Sequence, residues 1–102
     1  MTTVEFGSYD EARWVEIRGH AGYAECGKDI VCAGVSITAH ALAAALSQMG
    51  GVMCDVRNDD GRMFIVCRPA RQVKSQVGAM FDMARTAFEL LSEEYPQHVK
   101  VK

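Results

Sequence analysis

The 102-residue sequence lacks most features that mark specialised classes of protein. It has no repeats, low-complexity stretches or linkers, and with 2 prolines and 49% hydrophobic residues its composition is that of an ordinary globular domain. A chain of this length buries one core, so we expect a single domain over residues 1–102. The 11 basic residues do not outnumber the 13 acidic ones, whereas nucleic-acid binders usually carry a basic excess that contacts phosphates. Direct binding of nucleic acid is therefore not expected.

The pattern of a secretory signal is also missing, because Met1–Gly7 has neither basic residues nor an apolar centre. One long uncharged run, Ile30–Cys54, is long enough to span a bilayer. It contains three glycines and several polar residues, however, and much of its apolar content is alanine. We therefore expect a buried helix in a soluble, cytoplasmic protein that does not contact a membrane.

The four cysteines do not form a C-x-x-C pair, which excludes a zinc knuckle and a thioredoxin-type redox motif. No cluster of metal ligands is apparent, and no cofactor or metal is expected. Cysteines of a reducing cytosol are typically small buried hydrophobes, and we interpret Cys54 and Cys67 as two such core thiols. Cys26 lies in a loop, where it is an incidental surface residue, a redox partner or part of a substrate-binding flap. We favour the first of these.

Alternating apolar and polar residues predict five short strands. These are Val4–Gly7, Arg13–Gly19, Val52–Arg57, Arg62–Arg68 and His98–Lys102. The third and fourth flank Asp60–Gly61, a pair that favours a two-residue hairpin turn. That turn would set Asp59 opposite Arg62 and Cys54 opposite Cys67.

Two segments have the apolar period of a helix. The first begins after Asp29 as N-cap, is rich in alanine and stops at Gly50–Gly51; its apolar stripe is Val31, Val35, Ala39, Leu42, Leu46 and Met49. The second runs from about Arg71 to Tyr95 and ends at Pro96. The order ββαββαβ predicts an α+β domain with two helices packed on a mostly antiparallel sheet. The helices offer more apolar surface than one small sheet needs, so we expect a homodimer.

Cys32 and His20 are candidates for a catalytic pair. Cys32 lies in the first turn of the predicted first helix, where unpaired N–H groups and the helix dipole favour the nucleophilic thiolate. His20 ends the second strand and opens a glycine-rich loop, residues 19–28, that leads to this helix. A sulfur nucleophile and an imidazole that accepts its proton are the minimal equipment for acyl transfer. On spacing and helix position alone, a packed helical thiol and a solvent-facing imidazole are favoured over a catalytic pair.

Other groups near Cys32 have less specific roles. Ser36 and His40 share its helix face, but His40 lies about 12 Å further along the axis, too far to share a proton with Cys32. We interpret His40 as a structural or subunit-contact residue and His98 as structural. Backbone N–H groups of the first helical turn, including that of Cys32, are candidates for an oxyanion hole.

The segments Gly19–Tyr23 (GHAGY) and Gly27–Ala33 (GKDIVCA), followed by Val35–Ser36, resemble the Prp family of ribosomal-processing cysteine proteases, and the resemblance extends over nearly the whole chain. It implies a small dimeric α+β protease with His20 and Cys32 as the catalytic dyad. Supporting or substrate-binding roles are implied for Asp29, Ser36, Gly19, Gly22 and Gly27. Asp29 caps the helix, orients His20, or does both.

The resemblance also implies a substrate. Prp enzymes remove the short N-terminal extension of ribosomal large-subunit protein L-twenty-seven, cutting after an aromatic residue, as a step of ribosome assembly. Two other interpretations stay open. One is a non-catalytic dimeric module that binds a ribosomal or assembly partner, with Cys32 merely structural. The other is a redox-sensing protein that pairs Cys26 with Cys32.

Overall fold

Five strands and two helices follow one another in the predicted order. The computed structural model describes residues 1–25 and 27–102. The strands are β1 (Thr2–Tyr9), β2 (Ala12–Arg18), β3 (Val52–Asp59), β4 (Arg62–Pro69) and β5 (Val99–Val101). The helices are α1 (Ile30–Ser47) and α2 (Lys74–Glu94), the second preceded by a 3-10 turn at Arg71–Val73. The α+β class is therefore confirmed.

The strands form one sheet in the order β3-β4-β2-β1-β5. Every pairing is antiparallel except that of β1 with β5. Because β4 pairs with β2, Arg62 lies opposite Arg18, and the turn between β3 and β4 is brought to the end of β2. His20 follows this end, so the topology places the hairpin turn next to a candidate catalytic residue.

Both helices pack on one face of the sheet around an apolar core. The largest fully buried side chains include Phe81 and Phe88 from α2 and Ile65 from β4. The predicted stripe is buried on α1 from Val31 to Leu46, whereas Met49 lies beyond the end of the helix and packs against the core from a partly exposed position. By length and composition alone α1, with a mean hydropathy of 1.8, would also pass as a membrane span. In the structure its stripe instead covers the sheet.

The predicted hairpin register is confirmed, because Cys54 pairs with Cys67 and Asp59 with Arg62. The prediction of two core thiols is wrong for Cys54. Cys67 is fully buried, but β3 is an edge strand that is exposed from Met53 to Asp59. A local sequence pattern does not distinguish an edge strand from a central one. Burial first, and then the neighbouring Cys54, raise the pKa of the Cys67 thiol to about 12.

Candidate active site

His20 is positioned by a tight turn at the end of β2. Gly19 has a φ of +83°, and a Cβ there would lie 2.4 Å from the Met1 carbonyl oxygen, so the turn requires glycine. The Gly19 N–H donates to the Gly61 carbonyl at 2.8 Å, which joins this turn to the β3–β4 hairpin. The exposed His20 imidazole then points towards the hairpin, with Nε2 3.9 Å from Asp60 Oδ1. At that distance the two side chains form no hydrogen bond, and their contact is an ion pair only when the imidazole is protonated.

Asp29 is the N-cap of α1 and also holds the preceding loop. Its Oδ1 accepts the Cys32 N–H at 2.8 Å, and its Oδ2 accepts those of Tyr23 and Ala24 at 2.9 and 3.3 Å. The hydrogen bond from Cys32, followed by those from the loop, holds the pKa of the Asp29 carboxyl below its ordinary value. None of the described side-chain hydrogen bonds or ion pairs joins Asp29 to His20. Of the two roles left open for Asp29, the structure shows the capping role.

This cap occupies an N–H group that is a predicted oxyanion donor. The Cys32 N–H is engaged by the Asp29 carboxylate, and the Ala33 N–H bonds the Asp29 carbonyl at 3.0 Å. In this conformation the Cys32 N–H is therefore not free to donate to an oxyanion, and the oxyanion hole at the helix start stays a prediction. The reason is that the side chain which starts the helix uses the same first-turn N–H group.

Two cavities meet at His20, Cys32 and Ser36. The larger, of about 580 Å³, lies against the loop, and its wall includes Gly22, Gly27 and Asp29. The smaller, of about 160 Å³, extends towards the β3–β4 turn, and its wall includes Gly19. All seven sequence-predicted site residues thus line one connected region. A substrate peptide that passes over the half-buried Cys32 would have space on both sides of the sulfur.

The His20 imidazole does not bond the Cys32 thiol in this structure. Within residues 1–25 and 27–102, the His20 imidazole lies near Asp60 and makes no hydrogen bond to sulfur. Both residues nevertheless line the same two cavities, and the imidazole is exposed. Catalytic hydrogen bonds are commonly long or unformed until substrate binds.

Sequence reasoning missed the contribution of the β3–β4 turn. Asn58, Asp59 and Gly61 line the smaller cavity, and Asp60 faces His20. The Asp-Gly signal located the turn in the sequence, but only the pairing of β4 with β2 brings it to the site. His40 also lines the smaller cavity, with Nδ1 2.8 Å from the Ser36 carbonyl oxygen.

Two further residues singled out from the sequence are His98 and Cys26. His98 bonds the loop next to His20 through its Nδ1, 3.0 Å from the Ala21 carbonyl oxygen. Cys26 lies outside the described residues. Its three interpretations, and the redox pairing with Cys32, therefore stay as predictions.

The family model of the cysteine protease Prp matches residues 1–100 of the chain. The chain belongs to the Prp family of cysteine proteases. Its fold matches the ribosomal processing protease Prp of Staphylococcus aureus in complex with a covalently linked product peptide, at 26% identity and a TM-score of 0.85, covering 100% of this chain and 98% of that one. The same S. aureus protease in complex with a substrate peptide matches at 25% identity and a TM-score of 0.79, with the same coverage.

A third match is the protein SMU.848 of Streptococcus mutans, at 30% identity and a TM-score of 0.78, covering 100% of this chain and 92% of that one. No curated protein matches the chain. Family membership and the full-length structural matches identify the chain as a peptide-hydrolysing enzyme of the Prp family that uses cysteine. They leave its own substrate, and the residues that act on it, to be inferred from the site.

Proposed function

We propose that this enzyme removes the N-terminal extension of ribosomal large-subunit protein L-twenty-seven, with Cys32 as nucleophile and His20 as proton carrier. The observation that carries the proposal is that His20 and Cys32 line the same two cavities of a Prp-family protein. The S. aureus relative with a covalently linked product peptide supports a covalent route. Cys32 is half-buried at the start of α1, so its sulfur is both fixed and accessible.

In the proposed reaction the His20 imidazole takes the proton of the Cys32 thiol, and the sulfur attacks the scissile carbonyl carbon. The same imidazole returns the proton to the departing amine, which leaves an acyl group on sulfur as a thioester. Water, deprotonated by His20, then hydrolyses the thioester and regenerates the thiol. For these steps His20 leaves Asp60 and turns towards the sulfur.

The two cavities fit the two sides of a scissile peptide. The larger, against the loop, has ample room for the aromatic residue at which Prp enzymes cut, and the smaller continues towards the hairpin turn. A bound peptide would exclude water from the otherwise exposed imidazole, which strengthens its interaction with the sulfur. This placement predicts an extended substrate that crosses Cys32.

The test is a cleavage assay on the L-twenty-seven precursor with its extension, with products weighed by mass spectrometry. We expect a single cut with the wild-type protein and none with Cys32→Ala or His20→Ala. Cys54→Ala is the matched control, because this thiol is exposed at the sheet edge and outside both cavities. Retained cleavage in Cys32→Ala would contradict the proposal. No cut by the wild type, with precursor still bound, would favour the non-catalytic binding module.

We also infer that two copies associate through their helices. An apolar groove of about 370 Å³ runs between α1 and α2, and its wall includes Ile37, Ala41 and Met83. Ile37 is 67% exposed and Met83 78% exposed, an arrangement that a second copy would bury. Light scattering should give the mass of a dimer for the wild type and of a monomer for Ala41→Asp. Ser75→Asp, exposed outside the groove, is the control, and a monomeric wild type would contradict the inference.

A further inference from the structure

The residue that follows His20 is held by a side chain from the other end of the chain. His98 Nδ1 lies 3.0 Å from the Ala21 carbonyl oxygen. A carbonyl oxygen only accepts, so Nδ1 carries the proton, as it does both in one neutral tautomer and in the imidazolium. The backbone of His98 is itself fixed, because its N–H donates to the Tyr95 carbonyl and its carbonyl accepts the Thr2 N–H, each at 2.9 Å.

An aromatic cluster strengthens this connection. The Tyr23 ring lies 5.3 Å from that of Tyr95 and 5.4 Å from that of His98, edge to face in both cases. Ala21 is buried, whereas residues 22–25, 27 and 28 of the loop are exposed. The start of the loop is therefore attached to the turn after α2, and Asp29 attaches Tyr23 to the start of α1.

We infer that His98 is a positioning residue for the proposed reaction, fixing the backbone on the C-terminal side of His20 through the Ala21 carbonyl. The hydrogen bond from Gly19 to Gly61 fixes the N-terminal side. With both neighbours held, the imidazole moves between Asp60 and Cys32 by side-chain rotation alone. The inference rests on the proposed role of His20.

Loss of the His98 bond would release the Ala21 carbonyl and let the His20 backbone shift. A misplacement of about 1 Å costs on the order of 100-fold in rate when reacting groups are held in near-attack geometry. Substrate affinity comes mainly from the cavity walls, which His98 does not line. The effect should therefore appear in kcat and leave KM almost unchanged.

The test uses two substitutions at one position. His98→Leu removes the donor and puts an apolar side chain of roughly similar size in its place. His98→Asn retains an N–H donor, because its amide nitrogen takes the place of Nδ1 on the same carbon. Gln97→Ala, at the exposed preceding residue, is the control. Each variant is measured for kcat and KM on the precursor peptide and for amide hydrogen exchange in residues 20–25, at a temperature where all remain folded.

We expect His98→Leu to lower kcat about 10- to 100-fold with KM within about twofold, and to speed exchange in residues 20–25. His98→Asn should recover kcat to within about threefold and restore slow exchange. Wild-type kcat and exchange in His98→Leu would overturn the inference, as would a His98→Asn variant as impaired as His98→Leu.

The exchange measurement separates this inference from the proposed function. If the wild-type protein cleaves no precursor, the proposed function fails. Even in that case, amide exchange in residues 20–25 that is fast in His98→Leu and slow again in His98→Asn would support the attachment of the loop by His98. Identical exchange in all three proteins would reject it.

Discussion

Gly19 precedes His20, and Gly22 follows it two positions later. Alanine substitutions at these two glycines should differ in their effect on stability, because one adds only backbone strain and the other adds a steric contact as well. Their φ angles are +83° and +68°, where an L-residue is disfavoured by about 1–2 kcal/mol. A Cβ on Gly22 would meet no atom within 4 Å, so Gly22→Ala should incur this backbone cost alone. A Cβ on Gly19 would lie 2.4 Å from the Met1 carbonyl oxygen. Relieving that contact requires a backbone shift that adds about 1–3 kcal/mol.

We therefore expect the free energy of unfolding to fall by about 1–2 kcal/mol in Gly22→Ala and by about 2–5 kcal/mol in Gly19→Ala. Urea denaturation followed by the fluorescence of Trp14, the single tryptophan, measures both. Each kcal/mol corresponds to about 4–8 °C in Tm for a domain of this size. Gly19→Ala should also lower kcat, because the shift occurs next to His20. Equal losses of stability in the two variants would refute the close-contact argument.

Two further predictions concern pH. The pKa of the Cys67 thiol is about 12 in the folded protein against an ordinary 9.0, so the unfolded chain loses this proton first and stability should fall as pH rises from 9 towards 12. Urea midpoints of Cys67→Val should lack this part of the decline, and identical slopes would contradict the prediction. The pKa of the Asp29 carboxyl lies below its ordinary 3.8, so its stabilisation is present above that pH and is lost as pH falls through the folded-state pKa. Asp29→Asn should therefore lower Tm at neutral pH and by less in strong acid; a gap in Tm independent of pH would argue against it.

Most secondary structure could be predicted because it depends on local patterns. The apolar period of α1 and its cap at Asp29 lie within a single segment, and the Asp60–Gly61 pair sets the hairpin register. The order of strands in the sheet is not local, and two omissions follow from it. The sequence alone does not show that β3 is an exposed edge strand, which is why Cys54 is wrongly predicted in the core. It also does not show that the β3–β4 turn lies next to His20.

The candidate site likewise combines features that local sequence predicts with contacts that it does not predict. His20 and Cys32 are separated by only 12 positions, so a strand end, a loop and a helix start suffice to bring them to one cavity. Cys32 is held by the nearby Asp29, but the described contacts around His20 come from distant segments. Asp60 faces the imidazole from the hairpin turn, and His98 holds the neighbouring carbonyl from the turn after α2. Contacts between residues that lie this far apart along the chain leave no pattern in a single sequence from which they could be predicted.

Asp29 links the stability of the site to its chemistry. Its carboxylate orders the loop and begins α1, but in doing so it occupies the Cys32 N–H and places a negative charge at the helix start. An acyl-transfer site needs free donors where the oxyanion forms. Either a substrate carbonyl displaces the carboxylate from Cys32, or the donors come from another segment that lines the cavities. The loop amides of Tyr23 and Ala24 bind the other oxygen of this carboxylate, so a rotation that carries the whole Asp29 side chain away would free three N–H groups together. Rearrangement of the loop and assembly of the oxyanion site would then be a single event.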